Sequence, residues 1–223
     1  ISGYEDSYLY STDGMSFQKK SFGFTRPDSS YPWAIASHNG RITAISGKNN
    51  NAICIYSDDG VTWLEGTVQH LDKTYGFYEI ANINGKMIST NSNAILISDD
   101  GMNWSIYENP NKISASYAYK NMFLGKTSSG ERLYKSTDGV NWTLIDYSIN
   151  NYTSPICGEK FILFHNNGYN LRILNGDATG YYDVSNSDKV ASWGTYSYGK
   201  GVYVRVSSSY GAYLSVAVEE SED

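Results

Sequence analysis

The hydrophobic positions of this chain come in short runs, each cut off by turn-forming residues. Uninterrupted runs such as Ala94-Ile95-Leu96-Ile97 and Phe161-Ile162-Leu163-Phe164 are only four residues long, which suits a strand and falls far short of a bilayer span. Between the runs stand Asn-Gly and Asp-Gly steps and Ser-rich stretches, which supply left-handed backbone and local side-chain bonds in tight turns. This pattern predicts many short strands joined by many tight turns, and it excludes helical bundles and coiled coils. No basic, apolar leader opens the chain at Ile1 and no initiator Met is present, so the sequence reads as a domain cut from something longer.

One seven-residue phrase recurs four times. It reads Ser11-Thr12-Asp13-Gly14-Met15-Ser16-Phe17, Ser57-Asp58-Asp59-Gly60-Val61-Thr62-Trp63, Ser98-Asp99-Asp100-Gly101-Met102-Asn103-Trp104 and Ser136-Thr137-Asp138-Gly139-Val140-Asn141-Trp142. The serines are 46, 41 and 38 residues apart, spacings that fit one four-stranded blade per repeat. Asp-Gly between strand-like runs is a hairpin signal, and the Ser and Asp side chains can bond the turn's own backbone. The aromatic residue three places after Gly returns on the next strand, where it can wedge against a neighbouring unit.

A second phrase lies upstream of each hairpin. Ile35-Ala36-Ser37-His38-Asn39-Gly40-Arg41-Ile42 matches Ile80-Ala81-Asn82-Ile83-Asn84-Gly85-Lys86-Met87, with looser versions ending at Phe123, Phe161 and Val202. These give five strand-one/strand-two hairpins. The last of them lacks a box, whereas the first box, between Tyr8 and Phe17, lacks its strands one and two. Joining the two halves predicts a single all-β propeller domain over residues 1–223. Its blades are four-stranded and antiparallel, five preferred over six, and N- and C-terminal strands together close the ring and remove exposed sheet edges.

Composition narrows the function classes. Tyr, Gly, Ser and Asn together fill 92 of 223 positions, and a net charge of −6 with no basic stripe argues against nucleic-acid binding and membrane insertion. His38, His70 and His165 are isolated and carboxylates do not fall at calcium-loop spacing, so neither a metal nor a cofactor is expected. Cys54 and Cys157 read as free thiols.

The Ser-x-Asp-Gly-x-x-Trp phrases resemble the Asp-box, or bacterial neuraminidase repeat, family of β-propellers. The close-set form with Asn-Gly-Lys strand turns is most similar to the propeller heads of bacteriophage tail receptor-binding proteins from Gram-positive hosts. The resemblance implies that the box residues Ser11, Asp13, Phe17, Ser57, Asp59, Trp63, Ser98, Asp100, Trp104, Ser136, Asp138 and Trp142 are structural and remote from the binding face. It implies an extracellular, virion-borne, non-catalytic head that recognises a cell-surface glycan such as a teichoic acid or capsular polysaccharide, with a homotrimer formed through a stem outside this chain. Sialidases share the box, but here Arg26 is followed directly by Pro27, whereas the sialidase phrase has one residue between. Nor is a canyon of paired carboxylates recognisable. A small glycosidase and a protein-binding assembly propeller are the competing readings.

The box and Asn-Gly turns share one face of such a fold, and the irregular two–three and four–one loops share the other. Those loops are rich in Tyr, Ser, Asn and Gly, a mixture suited to polar contact with aromatic anchors. The candidate ligand residues there are Arg26, Tyr31, Trp33, Asn50, Tyr75, Asn91, Asn93, Tyr169, Trp193 and Tyr210. Arg26, Lys48, Lys73 and Lys112 could meet phosphates. Trp33, Tyr75 and Trp193 fit packing around a central channel equally well.

Overall fold

The computed structural model describes residues 6–25, 33–47, 52–69, 76–77, 79–130, 132–146, 156–157, 161–165, 170–185, 194–199, 202–207 and 213–218. They are all-β. β1 (Ser7–Tyr10) and β2 (Gln18–Ser21) form a two-stranded hairpin. β3 (Ala34–His38), β4 (Arg41–Ser46), β5 (Ile53–Ser57) and β6 (Leu64–Glu65) form an antiparallel four-stranded sheet in chain order. The next sheet sets β7 (Thr67–Val68) outside β11 (Asn103–Glu108), followed inward by β10 (Ala94–Ser98), β9 (Lys86–Thr90) and β8 (Ala81–Ile83). β12 (Ile113–Tyr119), β13 (Met122–Thr127), β14 (Leu133–Ser136) and β15 (Thr143–Asp146) follow in order, as do β16 (Ile156–Cys157), β17 (Phe161–His165), β18 (Asn170–Asn175) and β19 (Tyr181–Ser185). β20 (Gly194–Gly199), β21 (Val202–Ser207) and β22 (Tyr213–Val218) make a three-stranded sheet. The chain divides into two compact units, Ile1–Ser128 with Ser136–Thr143, and Ser129–Lys135 with Leu144–Asp223.

Within the first unit the apolar runs are explained by burial on both sheet faces. Ala44 pairs with Ile55 and Ile45 with Cys54, and alternate side chains of a strand point to opposite faces. Ala44 and Ile55 join Tyr8, Phe22, Trp33 and Trp63 in one cluster. Ile45 and Cys54 join Phe77, Met87, Ala94, Leu96 and Trp104 in the next. On β10, Leu96 faces that second cluster, whereas Ile95 and Ile97 face a third with Ala81, Ile83, Ile88 and Phe123. A strand covered on both faces gains nothing from polar alternation, so its sequence is a continuous apolar run.

The aromatic residues clamp the first hairpin to the β3–β6 sheet. The Tyr8 and Phe22 rings lie 4.8 Å apart, and Trp63 meets them edge-on at 5.5 and 4.9 Å. Such pairs add about 0.5–1.5 kcal/mol each beyond their buried area.

Two local features set the strand connections. In the β12–β13 turn, the residue at φ 49° is Lys120, so Asn121 stands one place later than the asparagines that open the Asn-Gly turns, Asn39 (φ 48°) and Asn84 (φ 47°). The backbone changes partner at Gly66, between β6 and β7. β6 pairs with β5, and β7 then runs parallel to β11 of the next sheet. The Gly66 N–H donates to the Cys54 carbonyl at 2.9 Å, and the Thr67 N–H donates to the Met102 carbonyl at 2.8 Å. The chain thus stitches one sheet to the next, and a Cβ at position 66 would run into the Met102 carbonyl oxygen.

Gly66→Ala should therefore force apart the crossing between the two sheets. The expected cost is about 1–3 kcal/mol, the usual scale of overpacking, read as a lowered denaturation midpoint. Gly23→Ala, at an open site on the first hairpin, serves as a comparison in which backbone conformation alone changes.

Candidate functional site

The four boxes share one hydrogen-bond pattern. In the second, Ser57 Oγ accepts from the Gly60 N–H at 2.9 Å and donates to Asp59 Oδ1 at 3.0 Å. Asp59 Oδ1 also accepts the N–H groups of Val61 and Thr62 at 2.7 and 2.6 Å. Asp100 accepts from Met102 and Asn103, and Asp138 from Val140 and Asn141, each at 2.8 Å. Asp13 does the same with Met15 and Ser16 at 2.8 Å. The other carboxylate oxygen is also occupied in three boxes: Thr62 Oγ1 donates at 2.8 Å, and the Asn103 and Asn141 amides donate at 2.7 Å. These partners were not singled out from the sequence, although Ser, Thr or Asn precedes the aromatic residue in every box.

The electrostatic consequence is a set of carboxylates held ionised. The backbone N–H groups of Ser16 and Met15 hold Asp13 at about 2. Burial pushes Asp100 and Asp138 up, but the donors at Asn103 and Asn141 outweigh it, and both lie at about 2. Asp59 is held well below the usual carboxylate range by the N–H groups of Thr62 and Val61. Carboxylates so engaged are turn braces and are poorly suited to take up or release a proton near neutrality.

The glycine carbonyls of the second, third and fourth boxes are also used. Gly60 O accepts from Tyr8 Oη at 2.9 Å, and Gly101 O from Thr43 Oγ1 at 2.7 Å. Both donors lie on the preceding sheet. Trp142 Nε1 donates to Gly139 O at 2.9 Å, whereas Trp104 Nε1 reaches Gly101 O at 3.4 Å. Where Tyr8 takes the carbonyl, Trp63 Nε1 has no partner among the described residues. Trp63 and Trp104 are core residues and Trp142 packs against the third cluster. Phe17 differs, being 56% exposed. Ion pairs brace the same end: Arg41 holds Asp58 through two bonds of 2.7 and 3.0 Å, and Lys86 reaches Asp99 at 3.1 Å.

At the opposite ends of the strands, the structure describes three of the ten candidate ligand residues. Trp33 is 3% exposed, with its ring 5.1 Å from Phe22, which makes it core. Asn91 is 4% exposed, and its Oδ1 accepts the N–H groups of Asn93 and Ala94, both at 2.9 Å. Its amide oxygen thus closes the β9–β10 turn rather than facing a ligand. Asn93 is half-buried, and its carbonyl accepts from the Asn109 N–H at 3.3 Å. Sequence reasoning missed Asn109, whose Nδ2 donates to the carbonyls of Asn91 and Ile113 at 2.6 and 2.7 Å, joining the β9–β10 turn to the start of β12. Lys112 is exposed beside it at φ 56°. Arg26, Tyr31, Asn50, Tyr75, Tyr169, Trp193 and Tyr210 lie outside the described residues, as do Lys48 and Lys73.

Among the described residues no three His, Cys, Asp or Glu side chains converge, and no helix is long and apolar enough to cross a membrane. Burial pushes the thiols of Cys54 and Cys157 up to about 11 and about 12, so both are poor nucleophiles at neutral pH.

No family model matches the sequence, and no curated protein matches it. Among solved structures, the chain is similar to YCF48 bound to a D1 peptide, at 13% identity and a TM-score of 0.65, over 91% of this chain and 68% of that one. It is similar to apo AztD from Citrobacter koseri at 10% identity and a TM-score of 0.57, over 91% of this chain and 60% of that one. A third likeness is to PorZ, a bacterial surface component of the type IX secretion system of Porphyromonas gingivalis, at 7% identity and a TM-score of 0.52. That match takes in 83% of this chain but 24% of PorZ. At these identities the likeness concerns the fold alone, and the fold is a β-propeller of antiparallel four-stranded sheets.

The box carboxylates set an acid limit. Their folded pKa lies below the ordinary value of 3.8, so their stabilisation is complete above about pH 4 and is lost as pH falls towards 2. Urea midpoints measured between pH 5 and pH 2 should fall over that window. A doubly substituted Asp100→Asn, Asp138→Asn protein should start lower at pH 5 and fall less steeply.

Proposed function

We propose that residues 1–223 form one five-bladed propeller domain that acts as a non-catalytic receptor-binding head. Its target is a bacterial surface glycan, a teichoic acid or a capsular polysaccharide, and its setting is an extracellular phage tail or related particle. The observation that supports a binding role over a hydrolytic one is the state of the box carboxylates. All four are bound by their own turns, so the most repeated acidic residues of the chain offer no acid/base pair. Recognition then falls to the loop side, where Tyr, Asn and Ser provide stacking faces and amide partners for sugar C–H surfaces and hydroxyls.

The second reading is a propeller that binds a protein segment. It is favoured by the likeness to YCF48, which was solved with a D1 peptide. A small glycosidase is the third. Glycan-array binding without sugar release supports the first reading, peptide capture without glycan binding supports the second, and release of reducing sugar supports the third.

The loop residues carry the binding test. Arg26→Ala, Tyr169→Ala and Tyr210→Ala should each weaken glycan binding, the tyrosines by about 1 kcal/mol as lost ring contacts. Arg26→Ala should also reduce the salt sensitivity of a phosphate-bearing ligand. Lys86→Ala, at the box end, should bind as the parent does. Trp33 is unsuitable for such a test because its loss would open the core. Normal binding by all three loop variants, with loss in Lys86→Ala, would place recognition on the other face.

Closure is proposed on the exposed Phe17. Trp63 and Trp104 are buried against the sheet that precedes them, and Phe17 is the box aromatic that lacks such cover among the described residues. Completion of the last blade by the first hairpin would supply it and remove two edges. Deleting residues 1–20 should then cause a large fall in melting temperature and loss of monodispersity. A deletion variant that melts and elutes as the parent does rules closure out.

A further inference from the structure

The wedge between β8–β11 and β12–β13 is filled by Ile88, Ile95, Ile97 and Phe123, with one polar level. Thr90 pairs with Ile95 across β9 and β10, so its side chain lies on the face that Ile95 turns to Phe123. Ser116 is two residues from Ala118, the partner of Phe123, and enters the same wedge from the β12 side. Glu79 is two residues before Ala81, and continuing the Ala81–Ile88 register sets it opposite Thr90. The Ser89 hydroxyl donates to the Glu79 carbonyl at 2.6 Å and holds that backbone in place.

Thr90 and Ser116 are 3% and 2% exposed. Thr90 Oγ1, Ser116 Oγ and Glu79 Oε2 are shut away from solvent, and none has a hydrogen-bond partner among the described residues. Asn82 Oδ1 is also unpartnered, but it lies on the other face of the sheet with its pair Met87. Gly125, opposite Ser116, lets the Trp142 ring and Ile113 pack closely against β13, since a Cβ there would stand 2.6 Å from that ring. Burial pushes the Glu79 carboxyl up.

Buried polar atoms are ordinarily paired, and buried charges are paired or bound to metal. A carboxylate with two hydroxyls, and no nitrogen or sulfur, is the donor chemistry of hard cations. Oxygens closed to solvent admit a single ion or a water and no larger ligand. We propose that Glu79, Thr90 and Ser116 form a site for a hard cation, Ca2+ or Na+, that ties the β8–β11 sheet to β12. Backbone carbonyls and water complete the coordination. This site is independent of the proposed receptor role.

The test uses the whole chain stripped with chelator and melted in CaCl2, in NaCl, or in choline chloride at matched ionic strength. Terbium luminescence excited through Trp142 gives a second readout. Ca2+ or Na+ should raise Tm by about 5–10 °C at a hundredfold excess over Kd, and choline should not. Whichever ion acts identifies the occupant. Glu79→Gln should abolish both the shift and the terbium signal, and Asp99→Asn at the surface should keep them. Thr90→Val and Ser116→Ala should weaken binding about tenfold or more, and they carry the test if Glu79→Gln does not fold. No shift with either ion, or a shift that survives in Glu79→Gln or in both hydroxyl variants, overturns the proposal and leaves a bound water at this level.

Discussion

The described part of the first unit depends on one interaction, a carboxylate bound by the backbone of its own turn. When Asp100 accepts the N–H groups of Met102 and Asn103, it does more than close a hairpin. It turns the Gly101 carbonyl towards Thr43 of the preceding sheet and sends Trp104 into the cluster that contains Ile45 and Cys54. Glycine is required there because φ is 73° and Met87 Cε would stand 2.9 Å from any Cβ. A local turn thereby sets a long-range contact. Disturbing the carboxylate would loosen the hairpin and the sheet-to-sheet packing together.

The carbonyls of the last three boxes also show how one repeat tolerates different neighbours. At Gly60 the donor is a tyrosine hydroxyl, at Gly101 a threonine hydroxyl, and at Gly139 the box's own indole. The acceptor is constant and the donors vary. Repeats of 46, 41 and 38 residues can therefore share a docking mode while their strands diverge. At the second box, where Tyr8 bonds the carbonyl, the Trp63 indole has no partner among the described residues.

The box turns, the strand-one/strand-two hairpins and the all-β class were legible because each rests on residues close in sequence. What was not legible depends on the third dimension. Leu64 to Val68 contains one glycine in an otherwise strand-like stretch, and nothing local says that the Met102 carbonyl of another sheet lies against it. Asn91 sits in a polar loop and reads as exposed. Its amide instead replaces backbone partners in a two-residue turn, a role that only the position of Asn93 and Ala94 reveals. Trp33 fitted both a core and a site until Phe22 was placed beside it. Glu79 gave no signal at all, because burial of a charged residue at a strand entrance is set by the sheet that packs over it.

These commitments bear on where specificity can reside. The central strands β4, β9 and β10 of the first unit are buried on both faces, so changes there alter stability before they alter recognition. The box ends are held by carboxylate braces and by the Arg41–Asp58 and Lys86–Asp99 pairs, which leaves little side-chain chemistry free for a partner. Freedom to vary without unfolding then belongs to the connections at the other strand ends. Even there it is partial, because Asn91 and Asn109 are bound into the floor beneath the loops. A ligand on that side would meet variable side chains carried on a rigid base, which lowers the ordering cost of each contact. The same base would suit a sugar or a peptide equally well, so on the proposed reading the loop residues, and not the propeller, would decide between them.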